Sequence, residues 1–223
     1  MIATDLPVLV VREGVSTLRS AMWPLARLIP LPEPGTALRP PVVMVHGYLG
    51  HAEMFRPLVR RLRKAGFPHT AAVGYPSTRV EPEDLVRHIA RVVEPLARGG
   101  RVDLVGHSLG AVGCRAYLKL FGGDRYVRRF VSLGGPHAGT SMYRFTPPRL
   151  RPLLDPEGPW VRRLAEGDEP VPTVVIRSRY DHQVLPPRRA AISGAHEVLL
   201  SRIGHNGLLW SRRAHEAVVA ALL

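Results

Sequence analysis

One serine of this chain stands where a protein can place a nucleophile. Gly106 to Gly110 reads GHSLG, after an apolar run that includes Val102 and Val105 and before a segment typical of a helix. In such an arrangement the serine lies on a strained turn between a strand and a helix, and glycines two positions to either side keep Cβ atoms out of the bend. The spacing therefore predicts that Ser108 is an exposed nucleophile.

Ser108 needs two partners, because a serine hydroxyl is a poor nucleophile until a histidine accepts its proton and a carboxylate holds that histidine in the right tautomer. Asp181, in SRYDHQVLPP, and His205, in GHNGLL, each follow an apolar run that predicts a strand. The order Ser, Asp, His along the chain is the order found with this kind of turn. Asp155 and Asp168 are alternative acids, but neither follows a predicted strand, so Asp181 is preferred.

Acyl transfer by such a serine also needs backbone N–H groups that bind the oxyanion formed on the substrate carbonyl. One donor is expected to be the amide of Leu109, which follows the nucleophile and opens a helix whose dipole favours negative charge. The second is expected in HGYLG at 46 to 50, after the apolar run 42 to 45. We assign it to the amide of Tyr48.

Apolar runs and helical periodicity alternate along the chain, which predicts a mostly parallel sheet covered by helices on both faces. Glycines at Gly66, Gly99 and Gly122 mark turns between these elements. Strands are expected near 42–46, 69–73, 101–106, 128–133, 172–178 and 196–201. Helices are expected at about 52–65, 82–98, 109–121 and 211–222.

Over roughly residues 40 to 223 the chain resembles the α/β-hydrolases, and among them the small bacterial triacylglycerol lipases and esterases. Two residues depart from the pattern of those lipases. Gly135 stands where threonine often precedes Pro-His, and Ala111 stands where a glycine commonly follows the serine turn. The stretches that carry the resemblance are VVMVHGYLG at 42–50, VDLVGHSLGA at 102–111, LGGPHAGT at 133–140, SRYDHQVLPP at 178–187 and GHNGLL at 204–209.

The resemblance implies an α/β-hydrolase domain over 39–223 with at most a small lid. It implies a serine carboxylic-ester hydrolase that cleaves an acyl ester or lipid through an acyl-enzyme, with Ser108, Asp181 and His205 as the triad and without a cofactor. Two alternatives remain open: an acyltransferase or thioesterase with the same triad, and a noncatalytic binding protein on this scaffold. The ten histidines show no metal-ligand spacing, so no metal is expected.

The segment 141–172 lies between two predicted strands and is the candidate lid. It has two interpretations: a small cap whose apolar side chains face an acyl chain, or an ordinary crossover that buries them in the core. These apolar residues include Leu150, Leu153, Leu154, Trp160, Val161 and Leu164.

Residues 1–38 form an N-terminal extension for which we predict a helix packed on the domain. The alternative is peripheral contact with a membrane surface through Arg12, Arg19 and Arg27. The apolar residues at helical spacing are Leu18, Met22, Leu25 and Ile29, ahead of a proline-rich stretch from Pro30 to Pro41.

The chain carries 31 lysines and arginines against 18 acidic residues, a formal net charge of +13. Such a charge attracts phosphate groups. However, lysine occurs only at Lys64 and Lys119, the arginines are scattered, and no nucleic-acid-binding module is recognisable. No nucleic-acid partner is therefore predicted.

The N-terminus lacks the features of a secretion signal, because Asp5 comes early and the short apolar run 6–11 ends at Arg12 and Glu13. Cys114 is the only cysteine, so no intrachain disulfide can form. A cytoplasmic location is expected, with secretion as the alternative if the N-terminus has been trimmed. No apolar run reaches the 18 or so residues that a membrane-spanning helix needs.

Overall fold

The computed structural model describes residues 6–22, 31 and 39–223, and a parallel β-sheet forms its centre. Within these residues six strands pair in the order β2-β1-β3-β4-β5-β6, every neighbouring pair being parallel. The predicted strands and the predicted parallel sheet are confirmed. The strands are β1 (Val42–Val45), β2 (Thr70–Val73), β3 (Val102–His107), β4 (Val127–Leu133), β5 (Thr173–Ser178) and β6 (His196–Leu200).

The register of the sheet brings the carboxyl ends of its central strands to one edge. Val45, Gly106, Ser132 and Val175 lie side by side on β1, β3, β4 and β5. The chain winds to one side of β1 to form β2 and to the other side to form β3, so the strand order reverses next to β1. In open parallel sheets, ligands bind outside the carboxyl ends of the strands at such a reversal.

Helices cover both faces of the sheet, as the alternating pattern predicts. Leu85, Ile89 and Val112 pack with Leu104 on one face, whereas Leu62 and Val218 belong to the cluster on the other. The long helices match the predicted ones within a few residues: α2 (Arg56–Lys64), α3 (Pro82–Leu96), α4 (Leu109–Leu120) and α8 (Arg212–Leu222). Three short helices are α5 (Arg151–Leu154), α6 (Pro159–Ala165) and α7 (Gly207–Trp210).

Local sequence explains where α3 begins and ends. Pro82 stands in its first turn, where the missing N–H is not needed, and Glu83 and Asp84 place negative charge at the positive end of the helix dipole. Pro95 lies in the last turn of the helix. Gly100, beyond the end of the helix, adopts a φ of 132° that residues with a side chain rarely adopt. The chain is thereby turned back toward β3.

The segment 141–172 contains α5 and α6 and connects β4 to β5. Leu150, Leu153 and Leu164 are at most 1% exposed and pack in the same cluster as residues of α4. Phe145, in contrast, is 81% exposed. The second part of the segment is thus a core crossover, while the apolar surface lies near its start. A lid movement of the segment stays a prediction.

Helix α1 (Leu6–Ala21) lies in the N-terminal extension and contacts α7. It buries Glu13, Ser16 and Ser20, while Leu18 is 58% exposed. The polar face therefore packs on the domain, because its side chains find hydrogen-bond partners there, and the apolar stripe faces outward. Of that stripe, Leu25 and Ile29 lie outside the described residues, as does most of the proline-rich stretch.

The exposed side chains of α1 leave apolar surface next to Arg12 and Arg19. Membrane-surface contact through this helix stays a prediction, and Arg27 lies outside the described residues. Across 6–22, 31 and 39–223, no helix has the length and apolar character that crossing a membrane requires.

The packing of α5 predicts a large difference between two substitutions in the 141–172 segment. Leu153→Ala should lower the free energy of unfolding by about 2–5 kcal/mol, because it opens a cavity in the core. Phe145→Ala, at an exposed site, should change it by no more than about 0.5 kcal/mol. Urea unfolding of both variants measures the difference, and a mild effect of Leu153→Ala would contradict the crossover role.

Candidate active site

Ser108 lies on a strained turn between β3 and α4. Its φ of 54° and ψ of −125° place a non-glycine residue in a region that costs about 1–3 kcal/mol. A Cβ at Gly106 would come 2.5 Å from the Cα of Ala111, and one at Gly110 would come 2.3 Å from the carbonyl oxygen of His46. Both glycines of GHSLG are thus required by close backbone packing, as the sequence pattern predicts.

The structure brings Ser108, His205 and Asp181 into one line of hydrogen bonds. The Nε2 atom of His205 lies 2.9 Å from the Oγ atom of Ser108, and its Nδ1 atom lies 2.8 Å from Oδ2 of Asp181. The other carboxylate oxygen accepts from the amides of Gln183, at 2.9 Å, and Val184, at 2.8 Å. Asp181 is therefore fixed on one side by backbone, and it fixes the tautomer and direction of His205 on the other.

Asp155 does not share this role. Its Oδ1 atom accepts from the amide of Glu157 at 3.0 Å, which caps the turn after α5. Asp168 belongs to the same 141–172 segment and is exposed. Of the three acidic residues that the sequence offers as partners of the histidine, Asp181 is the one that contacts His205.

Burial and charge act in opposite directions on the Asp181–His205 pair. Burial disfavours the carboxylate, but the charge and hydrogen bond of His205, with the two backbone amides, hold the pKa of Asp181 below its ordinary value. Burial likewise disfavours imidazolium, but the charge and hydrogen bond of Asp181, followed by Glu13, raise the pKa of His205. His205 is therefore a stronger base than a histidine in water.

The loops after β5 and β6 are tied together around this pair. The hydroxyl of Ser178 donates to the carbonyl oxygen of Ile203, which joins the end of β5 to the segment before His205. Gly134 has a φ of 57°, and a Cβ there would lie 3.5 Å from both Asp181 Oδ2 and His205 Cε1. The turn after β4 thus passes next to Asp181 and His205.

The HGYLG loop lies against Ser108. A Cβ at Gly47 would come 2.7 Å from the Cβ of Ser108, and Tyr48 follows it. Leu109 begins α4 and is buried. The two residues whose amides the sequence assigns to the oxyanion site therefore flank Ser108 along the β1 loop and the α4 helix, and their role in binding stays a proposal.

Two further histidines near Ser108 support backbone. The Nε2 atom of His107 lies 3.4 Å from the carbonyl oxygen of His205, and Nδ1 of His46 lies 3.0 Å from the carbonyl oxygen of Gly47. Burial lowers the pKa of His107 to about 3 and that of His46 to about 4. Both rings are neutral and can donate to the carbonyls that they face.

The two departures from the lipase pattern meet in one contact. A Cβ at Gly135 would come 2.7 Å from the Cβ of Ala111 and 2.7 Å from Nε2 of His137. The ring of His137 is fixed there by the Oγ atom of Ser132, at 2.7 Å. The methyl group of Ala111 therefore occupies space that only a glycine at 135 leaves free.

One residue at the site was not found by sequence reasoning. The carboxylate of Glu13 accepts from the amide of Asn206 at 2.6 Å and from that of Gly207 at 3.1 Å, directly after His205 in the chain. In the sequence Glu13 counts only as a charge that ends an apolar run. A contact between residues 193 positions apart leaves no local pattern that could have revealed it.

The described residues contain no group of three His, Cys, Asp or Glu side chains placed to share a metal ion. Cys114 is buried in α4. Burial raises the pKa of its thiol well above the ordinary value, so it is not a reactive thiolate.

Comparison with known proteins shows what this fold is similar to. A family model described as the alpha/beta hydrolase fold matches residues 40–163. The mature Bacillus licheniformis lipase BlEst2 is 15% identical, with a TM-score of 0.69 over 86% of this chain and 95% of that one. The Bacillus subtilis carboxylesterase CesB is 16% identical, with a TM-score of 0.59 over 93% of this chain and 98% of that one.

An esterase of Pyrobaculum calidifontis is similar to a comparable degree. It is 17% identical, with a TM-score of 0.62 over 96% of this chain and 92% of that one. At such identities the likeness to these solved structures shows a shared fold, and the chemistry has to be argued from the site itself.

The contact between Ala111 and Gly135 predicts energetic coupling. Gly135→Ala should lower the free energy of unfolding by about 1–3 kcal/mol through overpacking. Adding Ala111→Gly should recover part of this loss, because the contact with His137 remains. Gly74→Ala, where nothing lies within 4 Å of the new Cβ, is the control. A double-mutant cycle by denaturant unfolding measures the coupling, and simple additivity would refute it.

Proposed function

Because the chain belongs to the α/β-hydrolase fold family, we propose that it is a serine carboxylic-ester hydrolase that cleaves acyl esters through an acyl-enzyme intermediate. One observation carries the proposal: the hydrogen-bonded line from Asp181 through His205 to Ser108, at the carboxyl edge of the sheet. A nucleophile, a base and an acid within hydrogen-bond reach are what activation of a serine requires.

The first half of the proposed reaction forms the acyl-enzyme. Nε2 of His205 takes the proton from Ser108 as Oγ bonds to the ester carbonyl carbon, and the carbonyl electrons move onto oxygen. Amides of Tyr48 and Leu109 bind that oxyanion. When it collapses, the bond to the alcohol oxygen breaks, and His205 gives its proton to the departing alcohol.

Water completes the cycle. His205 removes a proton from water as the oxygen attacks the acyl carbon, and the carboxylic acid leaves as Ser108 regains its proton from His205. In both halves Asp181 remains a carboxylate and stabilises the imidazolium. The charge and hydrogen bond of His205, with the two amide donors, support that role, because they keep Asp181 ionised although burial disfavours its charge.

The proposed substrate is an uncharged acyl ester or lipid. Leu49, directly after Tyr48, is 67% exposed, and Phe145 at the start of the crossover is 81% exposed. Such side chains favour contact with an apolar acyl chain over contact with a charged one. The similar structures, a lipase, a carboxylesterase and an esterase, support the same substrate class.

Loss of the nucleophile or the base should abolish ester hydrolysis. We expect Ser108→Ala and His205→Ala each to lower kcat by about 10⁴- to 10⁶-fold on p-nitrophenyl esters from acetate to palmitate. Ser193→Ala, at an exposed serine, is the matched control. A peak at short chains would define an esterase and a peak at long chains a lipase.

If no Ser108-dependent hydrolysis occurs at any chain length, the proposal is wrong. Acyl thioesters, and esters with an added alcohol acceptor, would then test the thioesterase and acyltransferase alternatives with the same variants.

The pH dependence follows from the base. His205 must be neutral to accept the Ser108 proton, and its pKa is raised. The value of kcat/KM should therefore fall, as pH is lowered, with a midpoint above the value of about 6.5 for an ordinary histidine. Asp181→Asn should move this midpoint to lower pH and reduce kcat by about 10⁴-fold.

Asp155→Asn should change neither quantity, since Asp155 does not contact His205. Rate profiles for wild type and both variants make the comparison. An acid limb that stays in place when Asp181 is changed would contradict the assignment.

A further inference from the structure

Helix α1 reaches the candidate active site through one buried carboxylate. We propose that Glu13 is a positioning residue for the ester hydrolysis described above: it holds the loop that carries His205, so that the docking of α1 orients the imidazole toward Ser108. This inference rests on the proposed function.

Both oxygens of Glu13 are engaged by the backbone that follows His205. Oε1 accepts from the amide of Asn206 at 2.6 Å, and Oε2 accepts from the amide of Gly207 at 3.1 Å. The side chain of Asn206 adds a bond from Nδ2 to the Thr17 hydroxyl of α1, at 3.0 Å. The residue after the base is thus held by α1 through its main chain and its side chain.

The backbone around His205 is shaped to admit this carboxylate. A Cβ at Gly204 would come 2.2 Å from Oε2 of Glu13, and one at Gly207 would lie 3.4 Å from the same atom. Glu13 itself is 8% exposed. Gly204 therefore allows a close approach that a side chain there would block, whereas a Cβ at Gly207 would make an ordinary contact with the carboxylate.

Polar contacts hold α1 in place. A cleft of about 360 Å³ separates part of α1 from residues 202–211, and Val11 and Leu18 of the helix are more than half exposed. The Ser20 hydroxyl accepts from the indole N–H of Trp210, the last residue of α7, at 3.1 Å. Removing the Glu13 carboxylate therefore frees amides of the His205 loop, whereas removing the Ser20 hydroxyl leaves the bonds between Glu13 and those amides in place.

The charge of Glu13 also acts on the base. Ionisable groups facing His205 are Asp181 after β5, His107 at the end of β3 and Glu13 on α1. His182, which is half exposed, lies 3.9 Å from Glu13. Burial and Asp181 dominate the pKa of His205, and the negative charge of Glu13 raises it further. Without that charge, protonated His205 is less favoured and its pKa falls.

The test compares Glu13→Gln with Ser20→Ala in the full chain. Glu13→Gln keeps the size of the side chain but loses the charge and one acceptor. We expect a fall in kcat of about tenfold after normalisation to phosphonate-titrated active sites, a KM within about twofold, and an acid limb moved to lower pH. Ser20→Ala should keep the wild-type kcat, KM and acid limb, even if thermal unfolding shows a lower Tm.

Equal effects of the two variants, or a wild-type acid limb in Glu13→Gln, would overturn the proposal. If Glu13→Gln does not fold, Glu13→Asp takes its place. This variant retains the charge but is one methylene shorter, so it should keep the wild-type acid limb while kcat falls. A wild-type kcat in Glu13→Asp would equally overturn it.

Histidine titration by NMR separates this inference from the proposed function. The pKa of His205 should fall in Glu13→Gln and stay unchanged in Ser20→Ala, whether or not esters are turned over. A wild type without Ser108-dependent hydrolysis would refute the proposed function alone, while an unchanged His205 titration would refute the role of Glu13.

Discussion

The turn at Ser108 is the constraint on which the rest of the site depends. A non-glycine residue with a φ of 54° is unfavourable on its own, so the surrounding packing has to hold it. A Cβ at Gly110 would clash with the carbonyl groups of Val45 and His46, and a Cβ at Gly106 would clash with the backbone of Ala111. Helix α4 therefore packs closely on the end of β1. The same packing brings Gly47 of the HGYLG loop into contact with Ser108.

The two side chains that line up with Ser108 come from loops after strands further along the sheet. Asp181 follows β5 and His205 follows β6, and both reach Ser108 because parallel strands present their carboxyl ends at one edge. The loops that carry Asp181 and His205 contain little regular secondary structure, so hydrogen bonds such as that from Ser178 to Ile203 fix their course. Close backbone packing therefore fixes Ser108, whereas polar contacts fix the loop that carries His205.

This division explains what the sequence could predict. Strand β1 is a continuous apolar run, and β3 carries Val102, Leu104 and Val105 directly before GHSLG. Both signals depend on neighbouring residues alone. Ser108, Asp181 and His205 could be proposed because the chemistry fixes the residue types and this kind of serine turn is found with one chain order. The face of α1 could not, since apolar spacing indicates burial, whereas here Glu13 and Ser20 are buried by partners near α7.

Other features became clear only in three dimensions. In the sequence, Ala111 and Gly135 each look like an isolated departure from the lipase pattern. In the structure the two positions are in contact, and the missing side chain at Gly135 makes room for the methyl group of Ala111. The 141–172 segment has a composition that suits either a cap or a core, and the burial of Leu153 beside α4 is decided by tertiary packing. Periodicity alone does not distinguish these outcomes.

The bond between Glu13 and Asn206 has a consequence for the order in which the molecule assembles. It joins residues 193 positions apart, so the entropy of closing a very long loop opposes it until the intervening strands have paired. The sheet from β1 to β4 and the strained serine turn use contacts between closer segments and can form earlier. We therefore expect Ser108 to reach its turn before the His205 loop is held, so that a partly folded chain carries the serine without its hydrogen bond to His205.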